Sequence, residues 1–235
     1  MAYLSWIDDS RLKNIVGQLV EVAEKSLESS EEKFNKNVID PFAAFFQMVG
    51  FNMDLHQWKK GEQTRQSQKT LQNHVGDFHQ SVLGNVKGWD NLKTGSVMDV
   101  VSHQHKVIAE IKNKHNTVKG SDLSGLYKSM ESAVMTKSSI YRGYSAYYVT
   151  VIPKKAQRFD IPFTPSDKET GQRLPVNEMI RKIDGASFYS MVTNDENALE
   201  NLFACLPKVV EGLALRNVSE EDKTQLDQFF KIAFG

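Results

Sequence analysis

Leucine, isoleucine and valine recur three or four positions apart between residues 9 and 34. This spacing places them on one face of a helix, and Asp9 or Ser10 is positioned to cap its start. The apolar run VIDPFAAFFQMVGF, residues 38–51, predicts a short buried helix entered through Pro41. The first third of the chain is therefore expected to be helical.

A helix-length segment over residues 61–83 is different, because most of its side chains are polar. One edge is apolar and consists of Leu71, Val75, Phe78 and Val82. Another face carries mostly polar residues three or four positions apart: Glu62, Arg65, Gln66, Lys69, Asn73 and Gly76. Two interpretations remain open: a surface helix with one amphipathic edge, or a helix whose polar face lines a nucleic-acid groove or an active site.

Period-two alternation predicts strands in the middle of the chain. Residues 97–102 and 106–112 form two alternating runs joined by a short turn with two histidines, as in a β-hairpin. A helix capped by Ser121 is predicted over 121–137. The run SAYYVTVIP, residues 145–153, is rich in β-forming side chains and predicts a buried strand.

The last third continues the alternation of strands and helices. A long polar loop covers residues 154–176, and long loops in compact domains are often functional. VNEMIRKI, residues 176–183, predicts a short helix, and ASFYSMVT, residues 186–193, predicts a fourth strand. Two helices over 194–215 and 219–235 close the chain. The fold class is therefore α/β, with a mixed central β-sheet flanked by helices.

The length of 235 residues suits one sizeable α/β domain over residues 1–235. Within it we distinguish three parts: a helical N-terminal region (1–83), an α/β core (84–194) and C-terminal helices (195–235). We expect no signal peptide, and the longest apolar patch is shorter than the ~20 residues of a membrane span. Cys205 is the only cysteine, which excludes an intrachain disulfide and fits a reducing, cytoplasmic setting.

The net charge is zero, but the charges are unevenly distributed. Residues 103–155 contain nine basic and three acidic side chains, whereas acidic side chains outnumber basic ones by four in both 1–54 and 195–235. A basic middle could bind a polyanion through one localised face. Chance scatter of the charges over the surface is the other explanation, and the sequence leaves both open.

The second strand of the hairpin carries charged residues on one face only. Its alternate residues Val107, Ala109 and Ile111 are predicted to point into a core. Glu110 and Lys112 then point the other way, after Ile108. If the two strands pair antiparallel about the turn at His103–His105, Asp99 lies close to Glu110 or Lys112. The hairpin can therefore bring two carboxylates and a lysine around one point.

Two neighbouring carboxylates repel each other unless a divalent cation bridges them. Mg²⁺ suits a site with one or two carboxylates and several waters. A lysine on the same face can orient the attacking water and offset phosphate charge, so the group is plausible for phosphodiester hydrolysis. The alternative is an exposed sheet face with an ordinary Glu–Lys pair, because E-x-K is a common sequence.

The stretch MDVV…AEIKNKHNT also resembles the signature of the PD-(D/E)xK nucleases. Asp99 would be the first acid and Glu110-Ile111-Lys112 the E-x-K, while Met98 stands where the signature has proline. More specifically, EIKNKHNT, the preceding GW…GSVMDVV and the polar helix TRQSQKTLQNHVGDFHQSVLG resemble one family of type II restriction endonucleases. Its described members cut the interrupted palindrome GGNCC, and the resemblance covers residues 60–130.

The resemblance implies a restriction-endonuclease-like core and Mg²⁺-dependent hydrolysis of double-stranded DNA at a short palindrome, leaving 5′-phosphate ends. Asp99 and Glu110 would hold the metal and Lys112 would assist the attacking water. Some superfamily members add an acid from an upstream helix, and Glu62 is the candidate here. A palindromic target implies a homodimer in which each subunit reads one half-site.

Reading guanine bases requires arginine or lysine donors. The DNA-binding candidates lie in the long loop, beyond the second strand and on the polar helix: Lys154, Lys155, Arg158, Arg173, Lys114, Asn116 and Asn73. For each one, a solvated surface position or a phosphate contact is the alternative. His103 and His105 lack a third zinc ligand at recognisable spacing, so we interpret them as turn residues.

Two other functions remain open at this point. One is a nuclease of the same superfamily that acts in repair or recombination and is not confined to a short target. The other is a DNA-binding module without catalytic activity, in which the carboxylate cluster is structural.

Overall fold

A mixed β-sheet forms the centre of the protein in the computed structural model, which describes residues 2–92, 98–167, 169–215 and 217–235. Its strands are β1 Asp90–Asn91, β2 Val100–Ser102, β3 Val107–Lys114, β4 Ser145–Ile152, β5 Asp160–Pro162 and β6 Ile180–Asp184. The strand order is β1-β2-β3-β4-β6-β5. The three central strands β3, β4 and β6 are parallel, and the remaining pairs are antiparallel. The predicted fold class is confirmed.

Helices cover both faces of this sheet. Within the described residues they are α1 Asp9–Glu28, α2 Ser30–Lys36, α3 Pro41–Gly50, α4 Leu55–Leu83, α5 Leu123–Met135, α6 Gly185–Thr193, α7 Ala198–Glu211 and α8 Glu220–Phe234. Side chains of α1, α4, α6 and α7 share one apolar core with one face of the sheet. Side chains of α5 form a second core with the other face. No helix in the described part of the chain is long and apolar enough to span a membrane.

Strand β3 is buried on both faces, as expected for a central strand of a parallel sheet. Val107, Ala109 and Ile111 enter the first core, as predicted. Ile108, on the opposite face, enters the second core beside Tyr127 of α5. The face that carries Glu110 and Lys112 is therefore apolar and buried at its start, and it becomes polar only toward the carboxyl end of the strand.

The predicted hairpin is present. Val100 of β2 lies opposite Ala109 of β3 in an antiparallel register, and the backbone N–H of Asp99 donates to the Ala109 carbonyl oxygen at 2.9 Å. Residues 103–106 form the turn. The predicted beginning of the first strand, at Val97, lies outside the described residues.

Two predicted elements near the C-terminus are wrong, and both errors have one origin. Residues 176–183 were predicted as a helix but end in β6, whereas residues 186–193 were predicted as a strand but belong to α6. Asp184 caps α6, because its Oδ1 accepts a hydrogen bond from the Ser187 N–H at 2.9 Å. This cap starts a helix at residues 185–193 despite their β-forming side chains. Pairing with β4 makes residues 180–184 a strand despite their helical pattern.

Three helix starts also differ from the prediction. The cap of α1 is Asp8 rather than Asp9 or Ser10, and α4 begins at Leu55, six residues before position 61. A short 3₁₀ turn, Gly120–Asp122, precedes α5 in place of a cap by Ser121. The Asp8 side chain accepts hydrogen bonds from backbone N–H groups. The prediction of a polar N-cap was therefore correct in kind but one or two residues too late in the chain.

Helix α3 forms where a helix was expected but is not buried. Its start is capped by Asp40, and Pro41 occupies the first turn as predicted. Phe42 and Phe46, however, expose most of their surface. The long loop 154–176 also differs from the prediction, since it contains β5 and an isolated bridge between Ser166 and Arg173.

The Asp184 carboxylate generates a stability prediction. The residue is only 2% exposed, and its Oδ2 also accepts from the Phe159 N–H at 2.6 Å, so it joins β5 to the start of α6. We expect Asp184→Ala to lower the free energy of unfolding by about 2–3 kcal/mol, because two partly buried N–H groups lose their acceptor. Urea denaturation measures this change. The exposed cap variant Asp8→Ala should lose only about 1 kcal/mol, and equal losses in both would contradict the argument.

Candidate active site

Asp99 and Glu110 lie close enough, where β2 meets β3, for the charge of Glu110 to act on Asp99. Asp99 precedes β2, and its Oδ2 accepts a hydrogen bond from the Ile111 N–H at 2.6 Å. This bond fixes the Asp99 carboxylate against β3. The Lys112 Nζ lies 2.5 Å from the Glu110 Oε1 on the same face of the strand. The structure therefore brings together the three residues of the predicted carboxylate–lysine group.

The pKa of Asp99 is raised from 3.8 to about 6. Burial is the largest cause, because it disfavours the charged carboxylate, and the negative charge of Glu110 is the second. The Ile111 N–H and the Lys112 ammonium act in the opposite direction without cancelling the effect. The site thus holds two carboxylates that repel each other, which is the condition that a bound cation relieves.

Lys112 remains a cation at neutral pH. Burial lowers its pKa, but the carboxylates of Glu110 and Asp99 outweigh this effect and leave the pKa above its usual value. A protonated lysine cannot accept a proton from water. Its chemical role in this position is to hold negative oxygen atoms and to offset the charge of a phosphate.

A polar groove of about 430 Å³ begins at this site and runs between α4 and the end of β3. Its walls come from both elements and the turn after β3: Gln72, Asn73, Gly76, Asp77, Gln80, Ile111, Lys112, Asn113, Lys114, Asn116 and Thr117. Three predicted DNA-binding residues, Asn73, Lys114 and Asn116, therefore line the same groove as Lys112.

Asp77 is a member of this groove that the sequence analysis missed. Its charge contributes to raising the pKa of Asp99. A signal was present, because Asp77 and Glu62 are the two acidic residues of α4. Which of them faces the hairpin depends on how α4 packs against β3, and the sequence does not contain that information.

Glu62 lies elsewhere. Its carboxylate accepts from the Arg65 guanidinium at 2.6 Å through each oxygen and from the Gln66 side-chain amide at 2.9 Å. These three residues line a second cleft, between α4 and the α2–α3 region, of about 650 Å³. Fifteen residues of helix separate Glu62 from Asp77, or about 22 Å. The structure does not bring Glu62 to Asp99, although Asn73 lines both clefts.

The loop residues are spread over several places. Lys154 and Lys155 are exposed and follow β4 at the edge of the sheet where Lys114 ends β3. The Arg158 guanidinium is engaged within the protein, donating to the Ser190 Oγ at 3.2 Å and to the Glu196 carbonyl oxygen at 2.7 Å. Arg173 is exposed in the short bridge with Ser166.

Lys182 is a second residue that the sequence analysis missed. Glu110, Tyr148 and Lys182 are in register on three adjacent parallel strands. The Lys182 Nζ lies 5.6 Å from the ring centroid of Tyr148 and 5.9 Å from that of Phe159, and burial lowers its pKa. The error at β6 concealed this residue, because a helix at 176–183 would not have placed it in register with Glu110.

The donor set fits a hard divalent cation. Among the residues that the structure describes, no three His, Cys, Asp or Glu side chains lie close enough together to hold a metal ion. Asp99 and Glu110 instead offer a pair of carboxylates, and Mg²⁺ is bound in proteins by one or two carboxylates with water completing its shell. His103 and His105 lie in the turn, as predicted, against Tyr141 and Trp89 respectively.

These features define a hydrolytic nuclease with a restriction-endonuclease-like fold. Comparison with known proteins agrees with this class. The sequence profile described as Eco47II restriction endonuclease matches residues 4–214. The chain is similar to the type II restriction enzyme Eco47II of Escherichia coli, with 41% identity over 240 residues that cover both chains completely. It is also similar to the type II restriction enzyme Sau96I of Staphylococcus aureus, with 33% identity over 209 residues covering 87% of this chain and 78% of the relative.

The chain belongs to the Eco47II restriction endonuclease family. It is therefore a type II restriction endonuclease, a site-specific deoxyribonuclease that acts on double-stranded DNA as part of a restriction-modification system. Enzymes of this kind generally use divalent metal ions.

The raised pKa of Asp99 predicts how the stability of the metal-free protein changes with pH. Between pH 3.8 and about 6, Asp99 keeps a proton in the folded protein that the unfolded chain has released. Its contribution to the free energy of unfolding therefore falls as the pH rises through this interval and stays low above it. With EDTA present, we expect Asp99→Asn to be more stable than the wild type by roughly 2 kcal/mol at pH 8, and by much less at pH 4.

Urea denaturation at both pH values provides the test. The gain from Asp99→Asn should shrink in a Glu110→Gln background, because one cause of the raised pKa is then removed. A gain that is the same at pH 4 and pH 8 would show that Asp99 has an ordinary pKa.

Proposed function

We propose that the enzyme cuts double-stranded DNA at a short palindrome of the GGNCC type, with Mg²⁺ held by Asp99 and Glu110. The observation that carries this proposal is the proximity of Asp99 to Glu110 and Lys112, together with a polar groove that Lys112 helps to line. The GGNCC target is supported by the resemblance of EIKNKHNT and the polar helix to the family that cuts this sequence. Binding to DNA also agrees with the excess of basic side chains over residues 103–155.

The chain's own residues divide the reaction between them. The Ile111 N–H orients the Asp99 carboxylate beside Glu110. These two carboxylates would hold a divalent cation, which would supply positive charge to offset that of the scissile phosphate. Lys112 is protonated, so it orients the attacking water and stabilises negative charge on the phosphate oxygens. Lys182, in register with Glu110, adds a further positive charge to this face.

The groove between α4 and β3 is proposed to receive the DNA. Lys114 would contact phosphate. Asn73 and Asn116, which line the same groove, would exchange hydrogen bonds with the DNA. Lys154 and Lys155 would extend this surface where β4 ends. Arg173, which is exposed in the loop, would read guanine. The Arg158 side chain donates hydrogen bonds within the protein, so its proposed role is to hold the loop in position rather than to contact bases.

A palindromic target is two-fold symmetric, and we propose that a homodimer reads it, one half-site for each subunit. Each subunit then supplies one set of Asp99, Glu110 and Lys112 and cuts one strand. The products would carry 5′-phosphate and 3′-hydroxyl ends, because water attacks phosphorus and the 3′ oxygen leaves with a proton.

Digestion of a plasmid tests the activity, its target and the cut position together. With Mg²⁺ we expect discrete fragments whose sequenced ends lie within GGNCC, and with EDTA we expect intact plasmid. A smear, or ends without a common sequence, would contradict site-specific cleavage of this target and favour a nuclease of repair or recombination.

Glu110→Gln should lower the cleavage rate by about a thousand-fold or more, and Lys112→Met by about a hundred-fold or more. Both variants should fold and bind DNA, because the Glu110 and Lys112 side chains are only partly buried and pair with each other. Single-turnover cleavage and gel shifts in Ca²⁺ measure the two properties separately. Wild-type cleavage by purified Glu110→Gln would refute the assigned site.

The two acidic residues of α4 provide a matched pair. We propose that Asp77, rather than Glu62, assists the site, since the charge of Asp77 reaches Asp99. Asp77→Asn should reduce cleavage about ten-fold and raise the concentration of Mg²⁺ needed for half-maximal rate. Glu62→Gln should leave this Mg²⁺ concentration unchanged. The opposite result would return the role to Glu62.

A further inference from the structure

Helix α3 presents an apolar face to the outside of the protein. Phe42, Phe45, Phe46 and Val49 follow the spacing i, i+3, i+4, i+7, so they lie on one face of the helix. Their exposed fractions are 76%, 61%, 68% and 65%. None of the ten residues of α3 is charged. Exposed apolar surface of this extent on a helix usually marks an interface.

The opposite edge of α3 holds the helix to the protein. Ala44 and Met48, four residues apart, are half-buried there. The Trp58 Nε1 of α4 donates to the Gln47 Oε1 at 2.9 Å, and the Trp58 ring is buried against Phe34 of α2. The orientation of α3 is therefore determined by α2 and α4, and its outward face is available for another molecule.

The area of the exposed face is sufficient for a stable dimer. Two further exposed apolar residues, Phe51 and Leu55, directly follow α3 in the chain. Phenylalanine side chains bury about 150–250 Å² each, so the four exposed phenylalanines together with Val49 and Leu55 amount to on the order of 700 Å². This is the usual contribution of one partner to a specific protein interface.

We propose that the α3 face packs against the α3 face of a second copy of this chain. DNA is excluded as the occupant of this face, because an uncharged apolar surface offers no donor or cation to phosphates. A two-fold contact requires a surface that complements itself, and an uncharged apolar helix does so without like-charge repulsion. The choice of a second copy rests on the proposed palindromic target, whose two half-sites require two subunits.

The position of α3 is consistent with this role. Its neighbour α4 runs from α3 to the groove at Lys112, and Asn73 on α4 lines both the cleft beside α3 and that groove. A contact through α3 would therefore lie near the N-terminal end of α4, whereas the DNA groove lies further along that helix. The contact would leave the groove of each copy open.

The mass of the full-length protein in solution tests the proposal. By analytical ultracentrifugation we expect the wild type to have twice its chain mass of 26.6 kDa. Phe42→Glu combined with Phe46→Glu should weaken the dimer at least a hundred-fold, because four carboxylates would then face one another in an apolar interface. Circular dichroism should be unchanged, since both side chains are exposed in the single copy.

A second exposed apolar stripe supplies the matched control. Phe229 and Ile232 on α8 expose 63% and 75% of their surface. The double variant Phe229→Glu with Ile232→Glu should remain dimeric. If this variant becomes monomeric while the α3 variant stays dimeric, the interface lies on α8 and the proposal is overturned.

Oxidative cross-linking locates the contact directly. Cys205 is buried and burial raises the pKa of its thiol to about 11, so it does not compete with an introduced cysteine. We expect Val49→Cys to form a disulfide-linked dimer and Ile232→Cys to remain a single chain. Absence of the link at Val49→Cys would contradict a two-fold contact centred on α3.

Failure of the α3 interface can be distinguished from failure of the proposed GGNCC cleavage. Glu110→Gln should retain the dimer mass although it does not cut. A dimer that depends on α3 in a protein that fails to cut GGNCC would refute the target and leave the interface intact. A wild type that is monomeric both alone and on duplex GGNCC DNA would overturn the interface.

Discussion

The repulsion between Asp99 and Glu110 is the constraint on which the site depends. Both carboxylates lie where β2 meets β3, and burial together with the charge of Glu110 raises the pKa of Asp99 to about 6. Folding alone does not remove this cost. Lys112 offsets part of it, and the Ile111 N–H holds the Asp99 carboxylate in place. A site that is electrostatically incomplete without a cation is well suited to bind one.

The sheet creates the place where this constraint can exist. Strand β3 is buried on both faces along most of its length, so its backbone is fixed by two cores. Its polar residues begin only where the second core ends. The antiparallel pairing with β2 brings Asp99 into the range of the Glu110 charge, and the parallel pairing with β4 and β6 places Lys182 in register with Glu110. Helix α4 then closes one side of the groove with Asp77 and Asn73.

Local patterns were sufficient to predict that Asp99, Glu110 and Lys112 lie close together. The period of two in β3 separates Glu110 and Lys112 from Ala109 and Ile111, and a short turn leaves little choice of register. Contacts between distant segments were not accessible in the same way. Asp77 and Glu62 are equivalent in the sequence of α4, and only its packing against β3 distinguishes them. The β6–α6 boundary was misplaced because its determining feature is the Asp184 cap. The exposure of α3 was missed for a further reason: an apolar helix has the same pattern whether it is buried in its own chain or against a second one.

The most direct test of the central claim is calorimetric titration of Ca²⁺ into the enzyme bound to uncut GGNCC duplex at pH 6, in two buffers of different ionisation enthalpy. Cation binding should release part of a proton, because a carboxylate with a pKa near 6 is about half protonated at that pH. Both the binding and the proton release should disappear in Asp99→Asn, and binding should be strongly weakened in Glu110→Gln. Binding of wild-type strength in both variants would show that the cation is held elsewhere and would contradict the account.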